Sequence, residues 1–247
     1  MFKYKGPRYW FRHIDVIKNL KKIGQKPLSI LEIGAGTLEL SSQLAKNNKV
    51  VAVDLSSSID ESYKSLPVWS QNNLKIIAGD FLDIDFKDKK FDIVIAMEVL
   101  EHVSNEKKFL DKINQVIKDK GCIVISVPAH QSLWSKHDEA VGHVRRYEKI
   151  DLVKIANKFN AKKFMILGYG WPWINILRYV RIWSTKIIYH KNLNQKKKTV
   201  FSGERIKGLN ILSILVNKYT IYPFFLVSRL FENKDWSEGY LLYLYKK

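Results

Sequence analysis

The segment Leu31-Glu32-Ile33-Gly34-Ala35-Gly36-Thr37 leaves this chain few choices. An apolar run meets two glycines at alternate positions, a helix-forming stretch follows, and a second apolar run from Val50 to Val53 closes on Asp54. That order reads as strand, tight turn, helix and strand. Glycines at 34 and 36 let the backbone turn sharply and approach a ligand, while the next helix presents its first N–H groups at the same place. A carboxylate about 20 residues beyond such a turn stands where it can accept both hydroxyls of a ribose, and Asp54 fills that position. The unit is half of a nucleotide-binding α/β sheet.

Two later apolar runs also end in acidic residues: Leu74 to Ala78 before Gly79-Asp80, and Phe91 to Met97 before Glu98-Val99-Leu100-Glu101-His102. A fifth run spans Cys122 to Val127. In this order, over roughly residues 28 to 165, the chain resembles the class I methyltransferases that use S-adenosylmethionine. Glu32 followed by Gly34 and Gly36 carries the likeness, because a dinucleotide-binding turn usually lacks the acidic residue. The chemistry agrees. A pyrophosphate needs a bare helix N-terminus, whereas adenosylmethionine presents an ammonium and a sulfonium that favour carboxylate and carbonyl oxygens.

The resemblance implies S-adenosyl-L-methionine as cofactor, leaving as S-adenosyl-L-homocysteine. It places Asp54 and the adjoining Leu55 at the ribose, Asp80 and the Phe81 backbone at the adenine amino group, and Met97, Glu98 and His102 along the cofactor. Leu38 departs from the pattern, standing where the family has a third glycine, and is read as a local repacking of the turn. The implied fold is α/β, a seven-stranded, mostly parallel, doubly wound sheet with an antiparallel last strand.

Lys163 to Tyr169 suits the sixth strand and Gly239 to Tyr245 the seventh, with roughly 70 residues between them, far more than a hairpin needs. The expected organisation is an N-terminal helical segment over the active site (1–26), a core (27–170 and 236–247) and a helical insertion between strands six and seven (171–235). Within the insertion, Trp173, Ile176, Leu177, Val180, Trp183, Ile187 and Ile188 fall on one helical face. A basic break at Lys191 and Lys196-Lys197-Lys198 precedes a second apolar stretch, Leu209 to Phe231, which Lys218 and Pro223 make a poor spanning helix. The insertion either roofs the acceptor pocket or also rests on an anionic membrane surface, with tryptophan and tyrosine at the boundary.

The loop after the fifth strand, Pro128 to Tyr147, is dense in groups that bind and ionise, and in this fold it faces the acceptor. His143 is the preferred general base and His137 the reserve. Arg145 and Arg146 could fork onto an acceptor phosphate or carboxylate, cap the helix starting near Glu148, or pin the loop by pairing with Asp138 and Glu139, with Tyr147 and Trp134 as further substrate contacts. Its Trp-Ser-x-His-Asp and Gly-His-x-Arg-Arg-Tyr patterns resemble a subset of bacterial small-molecule methyltransferases, which implies a small, sugar-linked or lipid-linked acceptor. His130, His137 and His143 are too widely spaced to suggest a metal, and none is expected.

A formal net charge of +18 invites a nucleic-acid reading, but no Asn/Asp-Pro-Pro-aromatic run follows the fourth strand, and Cys122 lies inside an apolar run rather than in a nucleophile's setting. Nucleic acid is therefore the less favoured partner, with ribose methylation of RNA kept as an alternative beside a non-catalytic binding protein of the same fold. One cysteine and no signal-peptide-like N-terminus point to the cytoplasm, with possible attachment at the inner membrane surface. The expectation is an enzyme that methylates an oxygen or nitrogen atom.

Overall fold

A computed structural model describes residues 6–21, 23, 27–56, 59–179 and 216–247. Its centre is a seven-stranded sheet: β1 (Ser29–Ile33), β2 (Lys49–Asp54), β3 (Leu74–Ala78), β4 (Phe91–Met97), β5 (Ile117–Pro128), β6 (Ala161–Tyr169) and β7 (Gly239–Lys246). The strands lie side by side in the order β3-β2-β1-β4-β5-β7-β6. The first five pair in parallel, and β7 runs antiparallel between β5 and β6.

Burial on both faces explains the composition of the inner strands. β4 reads Phe-Asp-Ile-Val-Ile-Ala-Met and the second half of β5 reads Cys-Ile-Val-Ile-Ser-Val, nearly continuous apolar runs, as expected of sheets covered on two sides. One layer contains Ile30, Ala52, Ile95, Val124 and Tyr243 with the helix α1 (Pro7–Leu20) against them. The other contains Leu31, Val94, Ile123 and Leu242 with α5 (Glu106–Val116) and α7 (Lys149–Lys158). Shorter helices complete the crossovers: α2 (Glu39–Leu44), α3 (Ile59–Lys64), α4 (Val68–Gln71) and α6 (Lys136–Val141).

Between β6 and β7, residues 173–179 are helical and α8 spans Lys218–Arg229. α8 packs on α1: the indole of Trp10 donates to the Val216 carbonyl (3.2 Å), and the Phe11 and Phe225 rings lie 6.3 Å apart. The insertion face expected from the sequence changes in detail. Ile174 is the side chain buried, seated where a Cβ on Gly170 would collide with it, whereas Ile176 and Leu177 are exposed. Val180, Trp183, Ile187, Ile188 and the lysines at 191 and 196–198 lie outside the described residues. Among the described residues no helix is long and apolar enough to cross a membrane.

Candidate active site

Strand order reverses direction between β1 and β4, and ligands of open α/β sheets bind at the carboxyl ends of strands beside such a switch. The glycine turn is built there. The N–H groups of Gly34 and Ala35 both donate to the Val53 carbonyl (2.9 and 3.1 Å), which folds the turn over the end of β2. Gly34 has φ +71°, and a Cβ on it would lie 2.4 Å from Cγ2 of Val99. Gly36 has φ +54°, and a Cβ there would meet nothing within 4 Å. One glycine allows close packing; the other borders open space.

Asp54 closes the turn from the side. Its carboxylate accepts from the Gly36 N–H (2.6 Å) and the Ser56 N–H (2.9 Å), and Leu55 beside it is exposed. Glu32 is buried beneath the turn and accepts from the Ser41 hydroxyl, tying β1 to α2. Leu38 has the left-handed conformation (φ 59°, ψ 17°) that suits a glycine, yet its side chain is wholly buried in the core. The repacking therefore directs the side chain away from solvent. Asp80 accepts from the Leu82 N–H (3.0 Å), while the Phe81 ring packs edge-on against Phe109.

Glu98, just past β4, has φ +56° and stands in a polar cluster assembled from four distant segments. Its carboxylate receives Arg8 and Arg12 from α1 (both 3.1 Å), the Ser126 hydroxyl from β5 (3.0 Å) and the Tyr169 hydroxyl from β6 (3.2 Å). Tyr169 in turn accepts from Arg8 Nε (3.1 Å) and Arg12 Nη1 (3.2 Å). Burial pushes the Glu98 carboxyl upward, but Arg12 and Arg8 outweigh it and hold it down at about 2. Sequence reasoning passed over Arg8, Arg12 and Tyr169. The four-residue spacing of the arginines after Pro7, which puts both on one helix face, was the signal available.

Past Glu98 the chain makes a short helical turn, Leu100–His102, which buries Glu101 completely. Neither Glu101 side-chain oxygen has a hydrogen-bond partner. Burial, followed by the neighbouring Glu98 charge, pushes its carboxyl well above the ordinary range. The backbone of Val144 donates to the Glu101 carbonyl (2.8 Å), bringing the loop after β5 over this turn.

In that loop Ser135 and Asp138 form a capping box at the start of α6, and Gly142 (φ 82°) ends the helix in the left-handed conformation. The reversal turns His143 back onto Asp138, with Nδ1 at 2.8 Å from Oδ1. A carboxylate there fixes the Nδ1–H tautomer and leaves the Nε2 lone pair, which lies 3.8 Å from Glu101 Oε1. The His143 ring meets that of His102 edge-on, 4.8 Å between centroids. Burial and His143 push His102 down to about 4. Its Nδ1 faces the Gly142 carbonyl (3.1 Å).

The structure gives the other loop candidates different work. Arg146, expected as one possibility to reach an acceptor, is buried and forks onto Asp138 (2.9 and 3.3 Å), with Glu238 at 3.6 Å. Asp138 offers the nearest paired oxygens, and together they pin the loop. Arg145 lies outside, on Glu106 and the carbonyls of Val103 and Ser104. Tyr147 is buried and donates to Glu106 (2.7 Å). Trp134 donates to Glu139 (3.4 Å), and His137 is half-buried on α6, next to Asp138. His130 faces Glu148 (3.1 Å) and Tyr240 (3.3 Å). Cys122 is buried, and burial pushes its thiol up to about 12, which removes it as a nucleophile.

Residues 31–125 match the family model described as a methyltransferase domain. The chain is 29% identical over 137 residues to a mitochondrial ubiquinone biosynthesis O-methyltransferase of Dictyostelium discoideum, a stretch covering 50% of this chain and 42% of that protein. It is 34% identical over 103 residues to the ubiquinone biosynthesis O-methyltransferase of Rickettsia bellii, covering 40% of this chain and 41% of that one. The matched stretch thus spans about half or less of these relatives' length. Among solved structures it is similar in fold to phosphoethanolamine N-methyltransferase 2 of Haemonchus contortus in complex with S-adenosyl-L-methionine, with a TM-score of 0.58 and 16% identity, over 96% of this chain and 52% of that one.

Proposed function

We propose that this chain, which carries a class I methyltransferase domain, is an enzyme that transfers a methyl group from S-adenosyl-L-methionine to an oxygen or nitrogen atom of a small-molecule, sugar-linked or lipid-linked acceptor. The observation that supports this most is the set of groups at the strand switch: a glycine turn open at Gly36, Asp54 across it and Glu98 at the end of β4. The residues suit that cofactor. They offer carboxylates to hydroxyl and cationic groups.

The bound cofactor supplies a methyl carbon already activated by a sulfonium, so the protein's part is alignment and a dry site. Asp54, anchored by two backbone N–H groups, would orient the ribose. Glu98, kept ionised by Arg8 and Arg12, would face the cofactor's cationic end. These arginines and Tyr169 come from α1 and β6, so the same cluster closes the site from two sides. For a hydroxyl acceptor, His143 would take the proton at Nε2, with Asp138 stabilising the resulting cation.

Titration calorimetry with S-adenosyl-L-methionine tests the reading: binding is expected, and Asp54→Ala should weaken it by more than about 10-fold, the loss of one charge-assisted contact. Absence of binding to the folded wild type would overturn it. The outward Tyr219, Phe224, Leu226 and Leu230 of α8 and its end support peripheral contact with an anionic membrane. Flotation with anionic vesicles at low salt checks that contact, and protein left at the bottom of the gradient would remove it.

A further inference from the structure

The site holds more positive charge than its own carboxylates offset. Glu238, buried just before β7, joins its two halves: Arg146 Nη2 lies 3.6 Å from it and Arg178 Nε 4.0 Å, and it is close enough to Arg8 to act on that charge as well. Among the described residues this network sets four guanidinium groups, on Arg8, Arg12, Arg146 and Arg178, against the carboxylates of Glu98, Asp138 and Glu238. Glu101 adds a further carboxyl, but burial and the Glu98 charge favour its uncharged form. Positive charge is left over. Seating S-adenosyl-L-methionine would not offset it, since the sulfonium and ammonium outnumber the single carboxylate of that molecule.

Geometry shows where the surplus is felt. Arg178 stands on the helical residues 173–179, which Ile174 packs against Gly170, and its Nη2 donates to the Leu133 carbonyl (3.0 Å) in the loop after β5. It therefore joins the insertion to the loop that faces the acceptor in folds of this kind. Its Nε is buried and has no hydrogen-bond partner, and the same holds for Nε of Arg12. A buried guanidinium N–H without an acceptor is costly, and a carboxylate or phosphate oxygen is the group that satisfies it best. Leu133 follows β5 and Glu238 precedes β7, whereas the glycine turn and Asp54 follow β1 and β2, on the other side of β4. The arginine is on the acceptor's side.

From these observations we infer that the acceptor is an anion whose carboxylate or phosphate is held by Arg178, with Arg8 and Arg12 adding to the attractive field. The inference rests on the methyl-transfer reading and narrows its acceptor. Arg178 lies outside residues 31–125, the stretch that the family model matches, so this preference belongs to the chain's own insertion. A neutral analogue of such an acceptor would leave the Arg178 N–H unpaired and bind more weakly.

The test uses the full chain saturated with S-adenosyl-L-homocysteine, so that the carboxylate of the spent cofactor is already in place. Sodium phosphate and sodium benzoate are titrated separately at constant ionic strength and followed by calorimetry. Saturable binding of at least one of them, at about 10 mM or tighter, is expected, and which one binds tells phosphate from carboxylate. Arg178→Gln should weaken that binding by about 10-fold or more, Arg178→Lys by less, and Arg145→Gln not at all. Affinity for S-adenosyl-L-homocysteine should be the same in the wild type and in Arg178→Gln. Wild-type protein that binds neither anion saturably overturns the inference even where a variant fails to fold. Anion binding by Arg178→Gln equal to the wild type overturns it too, as does a parallel loss of S-adenosyl-L-homocysteine. Both titrations are repeated without S-adenosyl-L-homocysteine. Failure of that molecule to bind would remove the methyl-transfer reading, while the anion site would stand or fall by its own titration.

Discussion

Replacing Leu38 should reverse a common rule of protein stability. The residue combines a backbone suited to glycine (φ 59°, ψ 17°) with a side chain that is 0% exposed. Truncation to alanine keeps the left-handed backbone and empties a core site shared with Leu40 and Leu44, at a cost of about 3–5 kcal/mol. Truncation to glycine removes one further carbon, worth about 0.8 kcal/mol, but releases about 1–2 kcal/mol of left-handed strain. Leu38→Gly should therefore equal Leu38→Ala in stability or exceed it by up to about 1 kcal/mol, whereas within an ordinary helix glycine is worse than alanine by about 0.5–1 kcal/mol. Urea unfolding followed by circular dichroism measures this, since either variant should lower the midpoint by about 1–5 M for a slope of 1–3 kcal/mol/M. Leu38→Gly should also keep its affinity for S-adenosyl-L-methionine, because the turn already has glycine's shape. A glycine variant less stable than the alanine variant by about 1 kcal/mol would refute the reasoning.

Gly34→Ala should destabilise by about 1–3 kcal/mol through positive φ and contact with Val99, and Val99→Ala in the same chain should recover part of the loss in urea unfolding. Arg146→Ala, which takes the guanidinium away from the buried Asp138 and Glu238 carboxylates, should cost about 3–5 kcal/mol, read as a fall in melting temperature. Asp15 gives a pH signature. Burial raises its carboxyl in the folded chain, so its unfavourable contribution is absent below the ordinary carboxylate range and grows as pH rises through that range to the raised value. Asp15→Asn keeps an acceptor for Asn19 and Tyr243, so its melting temperature should gain on the wild type from acid to neutral pH. A difference independent of pH would contradict this.

The sheet was legible because each inner strand is an apolar run with both faces buried, and because acidic residues end the runs in a fixed order. Glu32, Gly34, Gly36 and Asp54 were legible for a related reason: a turn of this geometry needs glycine and neighbouring polar anchors within a short stretch of chain. The corner at Glu101 was not. His143 comes from the far side of α5 and β5, and the Gly142 reversal, the Asp138 contact and the Val144 bond to the Glu101 carbonyl aim it there. Nor could sequence decide between Arg146 as an acceptor ligand and as a loop pin, a choice made by Asp138 reaching the same buried space. The cluster on Glu98 draws on residues as far apart as Arg8 and Tyr169, a distance no local pattern spans.

The place of β7 has a consequence for how the chain is made. Its residues Gly239 to Tyr245 pair with Pro128 to Cys122 of β5, so about 110 residues are synthesised after β5 before its second edge is covered. At ribosomal rates of about 5–20 residues per second, that apolar edge waits roughly 5–20 s. An uncovered edge of such composition is a template for pairing with other chains. A nascent chain stalled between residues 130 and 238 should therefore recruit chaperones or aggregate, and release should follow once β7 enters the gap between β5 and β6.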